Sequence, residues 1–203
     1  MGFGYLLLGF LVWLNPVHAE LSEWLAYTLM LAGTTKLSPY GRGFKLSNFI
    51  GIPALIISFI SFVLGGLDLI GLGAFNSGAI YNITELSLLI LGYAYKLALL
   101  YGIFEITRFT GLDDLTSRSV YCMIIYGLLF VFEFLLTTRI INATSTGFFL
   151  VFFASLIIGL VTVFLLFACL RMITLEGEDE AVEEKTKKLS WIKKLKQMSE
   201  EDN

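Results

Sequence analysis

The chain has 203 residues, 57% of them hydrophobic and 15% charged, with a formal net charge of -3 and a mean hydropathy of +0.80. A water-soluble domain carries about 25% charged residues, so this composition excludes one and describes an all-α, polytopic membrane protein with room for five or six helices of about 20 residues. The charge excess is confined to the tail: residues 1–175 hold 8 acidic and 8 basic side chains, whereas 176–203 hold 9 and 6, which divides a neutral helical membrane domain from a charged tail.

Residues 2–14, GFGYLLLGFLVWL, are apolar but only about 20 Å long as a helix, short against a hydrocarbon core of about 30 Å. Asn15-Pro16 ends that run, and a second modest segment, 22–36, starts at Ser22, a residue type suited to an N-cap. The pair reads either as two short spans or as one re-entrant hairpin, and both return the chain to its starting side. Val17-His18-Ala19 also resembles a secretory cleavage site, although no Lys or Arg precedes it and Pro16 stands directly before it.

Residues 36–45 contain Pro39, Gly41, Gly43 and three cations, and read as a positive loop. The third segment, 47–68, is nearly uncharged, with Pro53 expected to kink it or to sit in its first turns. Gly51, Ala54, Ser58, Ser61, Gly65 and Asp68 share one helical face there, a stripe of small residues that another helix can approach closely. Residues 69–83, uncharged and glycine-rich, read as a loop dipping toward the membrane surface.

The fourth segment, 84–108, places Lys96 near the midpoint of an apolar span, where a cation costs a few kcal/mol or more and calls for a partner. Glu85, Gly92 and Lys96 share a face, with Tyr93 beside it; on the fifth segment, 119–139, Ser119, Cys122, Tyr126, Glu133 and Thr137 do the same. Counted from the same end of the bundle, Lys96 lies about 18 Å and Glu133 about 21 Å deep. Consecutive segments with a short connection are expected to be antiparallel neighbours, so these two charges are expected to pair, with Glu85, Asp68 and Tyr126 the next partners for the lysine. On the sixth segment, 147–173, Ser155, Gly159, Thr162 and Cys169 share a face, and Ser155 with Gly159 makes a small-xxx-small pair.

In the tail, 176–184 is an acidic spacer, and 185–198 sets Leu189, Ile192, Leu195 and Met198 at helical spacing among six lysines. Lys187, Lys188, Trp191, Lys193 and Lys194 then mark a basic amphipathic helix that binds anionic lipid; the alternative is a soluble helix that docks a protein partner. Lys and Arg residues gather at 36–45, at Arg108 and Arg118, and after Arg171. The positive-inside rule puts these positions and the tail in the cytoplasm, with the body in the plasma membrane. The sequons Asn82-Ile83-Thr84 and Asn142-Ala143-Thr144 fall against helix ends on the other side and read as chance matches.

Catalytic chemistry is not legible. His18 is the one histidine, and neither Cys122 nor Cys169 has an ionisable neighbour or a CxxC partner, so no metal, disulfide framework, cofactor or nucleophile–base arrangement is expected. The glycines of GFGYLLLG lack the strand-to-helix context of a nucleotide loop, and the basic residues lack the aromatic interleaving of a nucleic-acid surface. No internal repeat of the kind found in inverted-repeat transporters is visible. The first expectation is therefore a non-enzymatic binding, scaffold or regulatory membrane component, docking a protein partner or a second copy through its small-residue faces, with a closed and dry polar face. The alternative is a small transporter or permease-like subunit with a cavity reaching Lys96 and Glu133. A lipid-active enzyme is the third possibility, and only Glu105, Asp113 and Asp114 could begin its site.

Overall fold

The structure, a computed structural model, describes residues 2–14, 19–69, 79–138 and 145–173. Among them the chain is entirely helical: α1 (Gly2–Trp13), α2 (Ala19–Leu37), α3 (Arg42–Leu69), α4 (Ala79–Phe109), α5 (Asp113–Thr137) and α6 (Ser145–Met172), with a 3-10 turn at Ser38–Tyr40. Contacts gather into one compact unit, Met1–Leu170, and a second, Arg171–Asn203. Stretches within α3, α4, α5 and α6 are long and apolar enough to cross a membrane, and α1 is a shorter apolar helix. Large apolar side chains face outward along these helices, among them Phe49, Ile56, Leu128, Phe132, Phe164 and Phe167. In water so much apolar surface would drive association; against lipid it is the ordinary exterior.

α4 is the axis of the first unit. Half of its apolar window is buried, against 17% in α3, 22% in α5 and 28% in α6. α3 and α5 pack on it, α2 packs on α3, and α1 packs on α2. The α1–α2 contact is made by glycines: a Cβ on Gly2 would meet Leu37 and the Gly33 carbonyl, and one on Gly9 would lie 2.5 Å from Met30 and 3.0 Å from the Ala26 carbonyl. That order of contacts makes the two helices antiparallel. Residues 15–18, with most of the cleavage-like motif, lie outside the described residues.

Several boundaries differ from expectation. α2 begins at Ala19, so Ser22 lies inside the helix rather than capping it; nothing between the two positions breaks a helix. Residues 36–45 do not form an open loop: α2 runs to Leu37, Pro39 sits in the 3-10 turn, and α3 starts at Arg42. The chain closes this tightly because Gly43 presses on α4, where an added Cβ would lie 2.2 Å from the Gly102 nitrogen and 2.8 Å from the Ala98 carbonyl. The Gly43 N–H, free at the start of α3, donates to Glu105 Oε2 at 2.8 Å, so a carboxylate of α4 caps the positive end of α3. α3 continues through Pro53, which removes one donor without ending the helix.

Two residues past the end of α4 the chain turns at Gly111, whose φ of 72° suits a residue without a Cβ. Leu112 N–H donates to the Thr107 carbonyl at 2.9 Å and Gly111 N–H to that of Arg108 at 3.3 Å, the hydrogen bonds of a Schellman stop. α5 then starts at Asp113, six residues before the expected Ser119, because Asp113 and Asp114 favour the positive end of a helix. The small-residue stripe of α3 turns inward: Gly51, Ala54 and Ser58 are buried, while Ser61 and Gly65 are half-buried. On α6, Gly159, Thr162 and Cys169 are buried, and a Cβ on Gly159 would lie 2.6 Å from Leu14. The Asp68 side chain and the tail, with Lys187, Lys188, Trp191, Lys193 and Lys194, lie outside what the structure describes.

Candidate functional site

All six helices line one cavity of about 730 Å³. Its walls come from the C-terminal end of α1, the first half of α2, the later part of α3, the N-terminal half of α4, the end of α5 and the start of α6. These are the ends that an up-and-down arrangement gathers on one side of the bundle. Thr84 and Glu85 stand at the rim and Lys96 at the floor, 12 residues along α4, a descent of about 18 Å. Glu85 is exposed, whereas Lys96 is only 6% exposed. Between them the wall is largely apolar, with Leu88, Leu136, Phe152 and Leu156. The charged side chains are one lysine, Lys96, and three glutamates, Glu23, Glu85 and Glu133.

Lys96 is held by rings from three helices. Its Nζ lies 3.5 Å from the centroid of the Trp13 indole of α1, 5.1 Å from Tyr93 of α4 and 5.8 Å from Tyr126 of α5. A desolvated ammonium over an indole face gains about 2 kcal/mol or more, which offsets part of the cost of placing the charge at this depth. The rings brace one another: Tyr93 and Tyr126 meet edge-on at 6.2 Å, Tyr93 packs on Phe130 at 5.5 Å, and Trp13 packs on Phe10 at 6.3 Å. Thr162 of α6 donates to Tyr126 Oη at 3.3 Å, fixing that ring from the outside.

The expected ion pair between Lys96 and Glu133 is not formed. Among the described residues Arg118 and Asp114 make an ion pair at 2.8 Å on the surface, and Lys96 with Glu133 makes none. Tyr93 stands between the two charges instead: its hydroxyl donates to Glu133 Oε2 at 2.5 Å while its ring flanks the ammonium. The expected equal depth assumed that α5 begins at Ser119; it begins at Asp113, so Glu133 lies about 30 Å along α5 from the α4–α5 turn while Lys96 lies about 20 Å from it, and Tyr126 is the α5 residue beside the lysine. Trp13, at the end of α1, packs over the ammonium. Sequence spacing fixes depth only once the helix ends are known, and it says nothing about which third helix arrives beside a residue.

Of the remaining positions singled out in the sequence, Glu85, Gly92, Thr137, Ser61 and Ser155 also line the cavity. Gly92 is there for lack of a side chain, since a Cβ would lie 2.7 Å from the Tyr27 hydroxyl. Gly51, Ser58 and Gly159 serve helix contacts and do not line it. Trp13, Ser22, Glu23, Tyr27 and Thr84 are cavity residues that spacing on single helices missed; the one sequence signal for Trp13 was a buried cation in need of a π face. Glu105 is engaged at the α3 terminus, while Asp113 and Asp114 are exposed at the start of α5, so these three do not converge on a site. No group of three His, Cys, Asp or Glu able to hold a metal occurs among the described residues. Compared with known proteins, the chain matches no family model, no curated protein and no solved structure.

Proposed function

We propose that this is a small permease-like membrane protein that takes up a solute in the six-helix cavity. The observation that carries the proposal is that Lys96, at mid-depth of one candidate span, and Glu133, in the last turns of another, line a single cavity with an exposed rim. A helical scaffold of this size would bring its intramembrane charges into direct contact in a dry interface. An unmatched charge kept at that depth is the mark of a substrate or ion path. The volume also falls within the range of about 300–1,000 Å³ in which small-molecule sites lie, with mostly apolar walls and a few polar groups.

In this proposal all six helices sit in the membrane, with α1 and α2 forming a short hairpin that supplies Trp13 to the floor of the cavity. The positive-inside rule places Lys36, Arg42, Arg108, Arg118 and the tail in the cytoplasm and opens the cavity to the outside. The basic segment 185–198 rests on anionic lipid.

Cysteine accessibility tests the proposal. With Cys122 and Cys169 replaced by Ala, Ser155→Cys and Thr137→Cys in intact cells should react with a membrane-impermeant thiol reagent added outside. Ser58→Cys, buried between helices, should not. Unreactive cysteines at both 137 and 155 would overturn the proposal.

A further inference from the structure

We infer that the solute is a zwitterion with an apolar body, its anionic end on Lys96 and its ammonium end on Glu133, an inference that rests on the cavity being a solute site. Lys96 carries three N–H donors. The faces of Trp13, Tyr93 and Tyr126 attract its charge but supply no anionic oxygen, and Glu133 does not pair with it. A carboxylate that reaches the floor of the cavity therefore gains a charge-assisted hydrogen bond in a low-dielectric setting, where such bonds are strongest.

Glu133 is the complementary half. Its Oε2 accepts the Tyr93 hydroxyl, and a carboxylate has about four acceptor sites in all, so it retains capacity for an ammonium. One tyrosine separates the two protein charges, its ring toward the lysine and its hydroxyl on the glutamate. That spacing keeps them from neutralising each other and leaves room for the two ends of one small molecule.

The charge balance argues against simpler solutes. A bare anion must enter past three carboxylates, Glu23, Glu85 and Glu133, to reach the lysine, and a bare cation held by Glu133 shares the cavity with Lys96, whose charge it leaves unmatched. Like charges that meet in a low-dielectric site repel strongly, so each simple ion is opposed by one half of the site. A molecule with both charges satisfies both halves. Leu88, Leu136, Phe152 and Leu156 then face its body, which favours apolar amino acids or short apolar peptides.

The test is thermal stabilisation of the full chain, purified in detergent, by compounds at millimolar concentration. The zwitterions are L-leucine, L-phenylalanine and leucyl-leucine; phenethylamine and hydrocinnamate are phenylalanine without its carboxylate or its amine. The zwitterions should raise the Tm by several degrees, and the two single-charge analogues should leave it unchanged. Lys96→Gln should abolish the shift, Lys96→Arg should keep part of it, and Glu133→Gln should admit hydrocinnamate by removing the repulsion. Should a variant fail to fold, the wild-type comparison still decides. Equal shifts from phenylalanine and either analogue would overturn the inference, as would no shift from any of the three zwitterions. If Ser155→Cys or Thr137→Cys still reacts with the external thiol reagent in that last case, the zwitterion falls and the solute cavity stands; if neither reacts, both fall.

Discussion

At the scale of single residues, Lys96 is stabilised by aromatic faces rather than by a carboxylate, and this changes what its substitution should do. A double-mutant cycle of Trp13→Leu with Lys96→Met should give a coupling energy of about 2 kcal/mol. The cycle of Lys96→Met with Glu133→Leu should give a smaller one, because the two side chains share Tyr93 rather than a contact. Both are measurable by reversible unfolding in mixed detergent and SDS, and a larger Lys96–Glu133 coupling would show that the carboxylate is the true partner. Tyr93→Phe separates the two functions of that tyrosine: it keeps the ring beside the ammonium and deprives Glu133 of its donor, which should cost about 1–3 kcal/mol.

At the scale of elements, close helix approach is set by glycine, both at Gly51 of the α3 stripe, where a Cβ would lie 2.7 Å from Tyr95, and at positions that the stripe did not single out. Gly43→Ala drives a methyl into the backbone of Gly102, where neither helix can yield as a side chain would. It should destabilise by about 1–3 kcal/mol or more. Gly127→Ala is the control: nothing lies within 4 Å of its added Cβ, so the gain in helix propensity should stabilise by up to about 1 kcal/mol. If the two variants unfold alike, the Gly43–Gly102 contact does not hold α3 to α4. Ser58→Leu and Gly159→Leu should also obstruct packing, whereas Ser61→Leu projects into the cavity. That last substitution should impair solute binding more than stability.

At the scale of the whole molecule, the chain is arranged for lipid: apolar side chains face outward from α3, α5 and α6, and polar and charged ones gather around a cavity beside α4. The tail follows other rules. Its segment 185–198 has six lysines with Trp191 and four apolar residues at helical spacing, and each cation near an anionic surface is worth about 1 kcal/mol. A peptide of that segment should sediment with vesicles containing phosphatidylserine and dissociate as salt rises. Equal binding to neutral vesicles at any ionic strength would show that charge is not what holds it.

The sequence by itself determined the class of the protein and its helical segments, because long apolar runs allow only helices that satisfy their own backbone. The relative depth of Lys96 and Glu133 was not legible, since rise per residue converts position into depth only from the true helix start, and α5 begins at Asp113 rather than Ser119. The sequence also brought Glu85, Tyr93, Lys96, Glu133 and Thr137 to the faces from which they line the cavity, because helical periodicity is a local property. Only the tertiary structure decided what stands between those faces. Trp13 reaches Lys96 from α1, a helix more than 80 positions away in sequence, and Glu105 reaches the start of α3 across 62 residues. The choice between an ion pair and a ring cage, and between a closed seam and an open cavity, depends on how six helices turn about their axes when packed. No spacing within a single helix encodes that rotation; it is fixed by contacts such as Gly43 on Gly102 and Gly159 on Leu14, which exist only when all the helices are in place.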